Sequence, residues 1–405
     1  MFGKKNIKLN IYNISVFLFC LLPLFIITGP LLPELALLIL IIFFFKEIWL
    51  QKNIYFYFFL LFYLYLNIRS IFSENIIFSL KSTVPYLRFG FLIIITSFLY
   101  TNLNFFFRVL LYFFLFIFVL LIVDGYFQFF FGYNTIGINK FDSSRVSSFF
   151  FNKLVLGSYL VRLFPILCAL IFFTNNLKYI KLIPVITLLT GILILFSGEK
   201  TAFGLFVIEI FIILIIFCHQ QEKKYFQLII PIIVFMFLIL YFSAPLKKRL
   251  VTDAISNSGY GNYIFSRVHD SHYKTATKMF LDNPFFGKGP NTFRIFCNDN
   301  NYNIDEFSCS THPHNIYIQL LAETGLIGFS FLAIFFIYIL FKLSKVIISI
   351  LKKKKIDPVE SYLCLSVFIN LFPIATTGNF FNNWTSIIYY FCFALYLNYL
   401  RFKSK

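Results

Sequence analysis

The sequence predicts an all-α polytopic membrane protein of about twelve transmembrane helices with a large outer loop, and three observations carry that expectation. Apolar residues make up 60% of the 405-residue chain and charged residues 13%, too little polar surface for a soluble fold but suited to helices in lipid. Apolar runs able to cross about 30 Å of hydrocarbon at about 1.5 Å per residue recur from end to end. The positive charges, which bring the formal balance to +18, fall mostly in the short connections between those runs. Such charge orients spans in a bilayer rather than forming a nucleic-acid patch, so membrane lipids and no nucleic acid are the expected partners.

The chain opens with MFGKKNIKLN before its first apolar run. That start is basic like a signal peptide's but lacks a small-x-small cleavage site, so the run is read as a retained first span near 11–28. Further spans are expected near 31–48, 54–72, 86–101, 105–123, 154–174, 182–197, 201–218, 225–243, 314–341, 359–377 and 384–400, the patterns at 31–48 and 182–197 being the weakest. With the N-terminus inside, alternate connections put Lys4, Lys5, Lys8, Lys46, Lys52, Arg108, Lys178, Lys181, Lys223 and Lys224 on the cytoplasmic side. Lys342, Lys345, the Lys352 to Lys355 run, Arg401, Lys403 and Lys405 join them, so both termini are expected in the cytoplasm. Two connections then face outward and are longer than turns: one near 124–153, and the largest, 244–313, expected to be mostly helical. The chain accordingly divides into nine spans over 1–243, the large outer loop over 244–313, and three spans over 314–405.

Of the seven cysteines, Cys20, Cys168, Cys218, Cys364 and Cys392 fall in apolar segments and read as packing residues. Cys297 and Cys309 share the large polar loop and are expected to pair if it faces an oxidising compartment. Outer loops contain no Asp-x-Asp pair, and no Cys/His spacing suits zinc, so metal-bound nucleotide-sugar chemistry has no candidate ligands. The chain also has no P-loop for ATP. Neither a metal nor a cofactor is expected.

The stretch THPHNIYIQLLAETGLIGF, Thr311 to Phe329, ends the large loop and begins the tenth span. Pro313 suits the first position of a helix and would put His314 in its first turn, where the dipole disfavours an imidazolium and attracts phosphate. Eleven residues are close to three turns, so Gly325 would lie under His314, with Gly328 beside it, admitting a neighbouring helix. Asn315, Gln319 and Glu323 repeat every fourth residue as a polar stripe that cannot face lipid cheaply. A buried helix contact with a capping histidine would account for the His-Asn pair alone.

The complete spacing, His-Asn, nine residues, Gly, two residues, Gly, resembles the signature of the O-antigen ligase and O-antigen polymerase family of bacterial membrane glycosyltransferases. NPFFGKGPNTF, Asn283 to Phe293, is similar to the family's Asn-Pro-x-x-Gly-x-Gly segment, and Arg267 stands where the family carries an upstream arginine. RVSSFFFNKLVLGSYL, Arg145 to Leu160, resembles the family's Arg-x-x-Gly-x-Phe-x-Asn stretch with Ser148 in place of glycine. SGEKTAF, Ser197 to Phe203, resembles its Ser-x-x-Arg turn, with Lys200 in place of arginine.

The resemblance implies a GT-C-like enzyme of the bacterial inner membrane, with its site facing the periplasm. It would transfer a glycan from an undecaprenyl-diphosphate carrier to a sugar hydroxyl. A base is then needed near the hydroxyl and cations near the departing diphosphate. His314, with Asn315 beside it, is the candidate base, and Arg267, Arg145 and Lys200 are candidates for the diphosphate, lysine offering a point charge where arginine offers a fork. A ligase, with the lipid A-core as acceptor, is the leading expectation. A polymerase, whose acceptor is another lipid-linked glycan, is the alternative, and a twelve-span transporter or flippase is disfavoured because the two halves do not match.

The structural alternatives are plain. Arg145 and Arg267 also read as solvated loop charges and Lys200 as an interfacial ion pair with Glu199. Lys247, Lys248 and Arg249 read as an interfacial anchor, His312 as a cap, and His269 and His272 make no stronger claim. Arg162 and Glu209 stand inside apolar runs and need partners.

Overall fold

A computed structural model describes residues 9–48, 51–221, 241, 243–252 and 266–404. The expected span near 225–243 lies outside the described residues except for its last turn's Tyr241 and Ser243, as do 253–265 of the large loop, Lys4, Lys5, Lys8, Lys223, Lys224 and Lys405. The chain is an all-helical membrane protein: 75% helix, with no strands among the described residues. Seven helical stretches among them are long and apolar enough to cross a membrane.

The helices that position the site are α1 (Leu9–Thr28), α2 (Leu31–Phe43), α3 (Ile54–Ile71), α4 (Ile76–Thr83), α5 (Leu87–Leu99), α6 (Leu103–Phe131) and α7 (Leu156–Phe173). They continue with α8 (Ile183–Ser197), α9 (Lys200–Gln221), α10 (Arg267–Asp282), α11 (Ile316–Leu351), α12 (Pro358–Asn370) and α13 (Asn383–Lys403). Every expected span outside 225–243 contains a helix. The innermost are α7, α12 and α13, predominantly apolar on every face and buried along nearly their whole length, as a helix without a continuous polar face must be. α7 packs on α12, α8, α9 and α6, and α13 packs on α5 and α12.

Alternation of helices sorts the connections to two ends. At one end His219 meets the Lys354 carbonyl, Arg401 donates to the Lys52 carbonyl, and Lys403 pairs with Asp357 and Glu360. That end carries the Lys352 to Lys355 run. The opposite end gathers the α6–α7 connection, the α8–α9 turn, the large loop and the α12–α13 connection, joined by hydrogen bonds such as Arg145 to the Ser197 carbonyl and Thr377 N–H to the His314 carbonyl.

Four expectations need correction. α6 runs to Phe131, stopping at Gly132 in the left-handed region at φ 83°, so the outer connection starts later than residue 124. Asp124 and Gln128 stay helical because they bind the returning chain: Asp124 accepts from Thr135 and Ser148, and Gln128 from the Ser147 and Ser148 N–H groups. α12 stops at Asn370, short of 377, since Pro373 cannot continue it and the chain to Asn382 folds as a loop. The described part of the large loop is only about half helical, in α10 and in short pieces at Ala244–Lys247, Lys248–Thr252 and Phe293–Phe296, and the rest is irregular, being held by the Cys297–Cys309 disulfide and by turns at Gly287 and Gly289. Finally, α11 starts after the His-Asn pair rather than at Pro313. Asn315 is its N-cap, accepting from the Tyr317 and Ile318 N–H groups, and His314 precedes it in the left-handed region at φ 59°.

Candidate functional site

α11 breaks at Gly325, whose φ of 63° and ψ of −169° are not helical. The break exposes backbone groups, and the Asn283–Gly289 loop fills it. Lys288 and Gly289 N–H groups donate to the Ala322 and Glu323 carbonyls, and Leu326 and Ile327 N–H groups donate to the Pro284 and Phe285 carbonyls. Arg69, at the end of α3, clasps the same loop through the Phe286 and Gly287 carbonyls at 2.8 and 2.6 Å. A Cβ at Gly325 would overlap the Phe285 and Phe286 backbone, and one at Gly287 would overlap the backbone from Glu323 to Gly325. These glycines therefore admit a loop, not the neighbouring helix expected from an unbroken α11. Gly328 does meet a helix, through Tyr65 of α3.

The polar stripe is accounted for by the same docking. Asn315 donates to the Pro373 and Ala375 carbonyls, Gln319 bonds Asn379 and accepts from the Phe380 N–H, and Glu323 accepts from the Asn291 and Phe293 N–H groups. α11 thus pins the loop on one side and the α12–α13 connection on the other.

Between these loops and α7 lies a cavity of about 760 Å³. His269, His312 and His314 stand in its wall, with Arg145, Lys153, Glu199, Lys200 and Arg249 around it and Arg162 deeper down α7. Thr376, Thr377, Gly378, Asn382 and Trp384 close the remaining side.

Four histidines cluster here. The His314 ring centroid lies 4.2 Å from that of His312 and 5.3 Å from those of His269 and His272. His314 Nε2 is 3.2 Å from Ser310 Oγ, His312 Nε2 is 3.2 Å from the Thr377 carbonyl, and His269 Nδ1 is 2.8 Å from Ser266 Oγ. Burial, and then the other three rings, push His314 down to about 3, while burial pushes His312 down to about 4. His314 is neutral as expected, but through burial and mutual repulsion rather than a helix dipole. Among the described residues no group of three or more His, Cys, Asp or Glu side chains is arranged to hold a metal ion.

The cationic wall is built on the α8–α9 turn. Arg145 Nε donates to the Ser197 carbonyl at 2.9 Å and Arg249 Nε to the Gly198 carbonyl at 3.0 Å. Gly198, at φ 64°, sits between them, with both arginine side chains about where its Cβ would touch. Glu199 turns the other way and caps α7, accepting from the Gly157 and Ser158 N–H groups and the Ser158 hydroxyl. Burial raises the Glu199 carboxyl. Asp142 lies 3.8 Å from Arg249, and Lys200 opens α9 in the cavity wall.

Of the sequence candidates, the structure brings His314, Arg145 and Lys200 to one cavity. Asn315 sits behind His314 with its amide committed to capping and to the Pro373 loop. Arg267 does not line the cavity: it starts α10, its side chain 55% exposed and paired with Asp305 and Glu306 at 3.9 and 3.6 Å. Sequence reading missed Arg249, Lys153 and the Thr376–Gly378 turn. Pro373, with Thr376-Thr377-Gly378-Asn379 three residues on, is a turn signal that the apolar flanks overrode.

Residues 185–333 match a family model described as O-Antigen ligase. The match bears out the resemblance read from the motifs. It takes in Lys200, Arg249, the histidine cluster, Gly325 and Gly328, and leaves Arg145 outside. No curated protein matches the chain.

Proposed function

We propose, from the premise that this chain carries an O-antigen ligase family domain, that it is an O-antigen ligase. It moves a glycan from undecaprenyl diphosphate to the lipid A-core at the periplasmic face of the inner membrane. The observation that carries the reading is one cavity with a neutral imidazole on one wall and several cations on another. The lysine-rich end is then cytoplasmic, and 1–243, 244–313 and 314–405 are the spans, outer loop and closing spans.

In this reading the acceptor hydroxyl lies against His314, which takes its proton as the oxygen attacks the anomeric carbon. The bond from that carbon to the phosphate oxygen breaks, and its electron pair leaves on the diphosphate, where Arg145, Lys200 and Arg249 offset the growing charge. An imidazole pushed down to about 3 is by itself a weak base. The bound diphosphate corrects this, because a nearby anion favours the protonated ring and raises its affinity for a proton. Arg267 holds the start of α10 through Asp305 and Glu306, and Asn315 orients His314 by capping α11. Both are positioning residues.

A deletion strain tests the assignment. Long carrier-linked chains that accumulate with no glycan on the lipid A-core are the expected result; a single repeat on the core would instead identify a polymerase and overturn the ligase reading.

A further inference from the structure

Arg162 is a buried cation at the cavity that this mechanism leaves unused. It stands in α7, 5% exposed, within a helix otherwise apolar. Its described partners are neutral: Nη1 donates to the Asn370 Oδ1 and carbonyl at 3.2 and 3.4 Å, and its guanidinium carbon lies 5.4 Å from the Tyr389 ring centroid. Its Nε is buried with no hydrogen-bond partner among the described residues. The Asn370 amide is spent on the Arg162 and Ser366 carbonyls. An uncompensated guanidinium in a membrane helix is expensive and marks an ion path or ligand by default. Here the cavity reaches it.

The cations around the cavity thus stand at two depths. Arg145 and Arg249 lie level with the α8–α9 turn, where Glu199 and Asp142 temper their charge. Arg162 lies five residues below Gly157 on α7, a rise of about 7 Å toward the lipid interior, and no carboxylate among its described partners tempers it. A monophosphate engages one depth; a diphosphate whose tail runs into lipid spans both. We infer that Arg162 binds the lipid-side phosphate of a prenyl diphosphate, so that the cavity selects diphosphate over monophosphate carriers. This rests on the glycosyl-transfer reading above and adds a selectivity to it. After transfer, the same contact would retain the prenyl diphosphate product, which therefore competes with donor.

Full-length protein in nanodiscs is titrated with farnesyl diphosphate, farnesyl monophosphate and farnesol, read by tryptophan fluorescence, since Trp384 is in the cavity wall. The parent is expected to bind the diphosphate at least about tenfold tighter than the monophosphate, tenfold being about 1.4 kcal/mol. Arg162→Gln should bring that ratio near one and leave farnesol unchanged. Asn370→Asp keeps the arginine but sets a carboxylate beside it, and should collapse the ratio in the same way, which guards against a misfolded Arg162→Gln protein. If both variants keep the parental ratio while Arg145→Gln weakens diphosphate binding, Arg162 only ties α7 to α12 and the inference falls, with the transfer reading intact. A parent that binds diphosphate no better than farnesol overturns both.

Discussion

At the scale of residues, the role of His314 is sharpest in its pH dependence. As a base it must be neutral, and its free-enzyme value is pushed down to about 3. The acid limb of kcat/KM, which reports free enzyme, should therefore lie well below the ordinary histidine range, while the limb of kcat, measured with diphosphate bound, should lie higher. Coincident limbs near 6.5 would mean that the cluster is not buried as described. His314→Ala should lose about 10² to 10⁴-fold in rate with the protein still folded; the parental rate would end the base assignment. Asn315→Ala should lower stability by about 0.5–2 kcal/mol, the worth of an N-cap, and its effect on kcat should follow that instability. Arg249→Ala should impair donor binding far more than Arg267→Ala, and the reverse order in donor KM would restore the arginine expected from the motif. His314, Arg145 and Lys200 were legible because spacing within motifs marks them. Arg249 was not, because Lys247-Lys248-Arg249 after an apolar run reads as an interfacial anchor until the Gly198 turn is seen beneath it.

At the scale of elements, the decisive unit is the break in α11 with the Asn283–Gly289 loop threaded through it. Both motifs were visible in sequence, but their mutual purpose was not: a glycine at helical spacing reads as a packing seam, and only the positive φ at Gly325 and Gly287 shows two backbones in contact. Gly325→Ala should be destabilising by at least about 1–3 kcal/mol from backbone strain alone, with the overlap on Phe285 added. Thermal unfolding of Gly325→Ala and Gly204→Ala, the second glycine having open space at its Cβ, checks this; equal melting temperatures would refute the docking. The histidines lend the same loop a pH dependence. His269, His272, His312 and His314 all have folded values below the ordinary 6.5. Their contribution is whole above about pH 6.5 and drains as pH falls toward the folded values, because the unfolded loop then binds more protons. Protection factors in α10 and the Ser308–His314 segment, normalised to the intrinsic exchange rate at each pH, should accordingly fall between about pH 7 and 5, and pH-independent protection factors would show that the rings are solvated.

At the scale of the whole molecule, the helical class and the placing of a helix in each expected span outside 225–243 were legible, since hydropathy reports them directly. What escaped was polar structure at the ends of apolar runs. Asp124 and Gln128 extend α6 because the Thr135–Ser148 chain returns to bond them, and the loop that follows the end of α12 before Pro373 is held in place by Asn315 and Gln319. Both depend on residues far away in sequence. Sidedness follows from the same bipartite layout. The Lys352 to Lys355 run and the cavity lie at opposite ends of the helices, so fixing the side of one fixes the other. A phosphatase fused after residue 352 should be inactive, and one inserted near residue 300, in the disulfide-held loop, should be active, because that enzyme matures only where disulfides form. Mass spectrometry of protein purified without reductant should find Cys297 and Cys309 joined. An active fusion at 352 would invert the protein, expose the cavity to the reducing cytoplasm, and remove both the rationale for the disulfide and the periplasmic glycan from reach of His314.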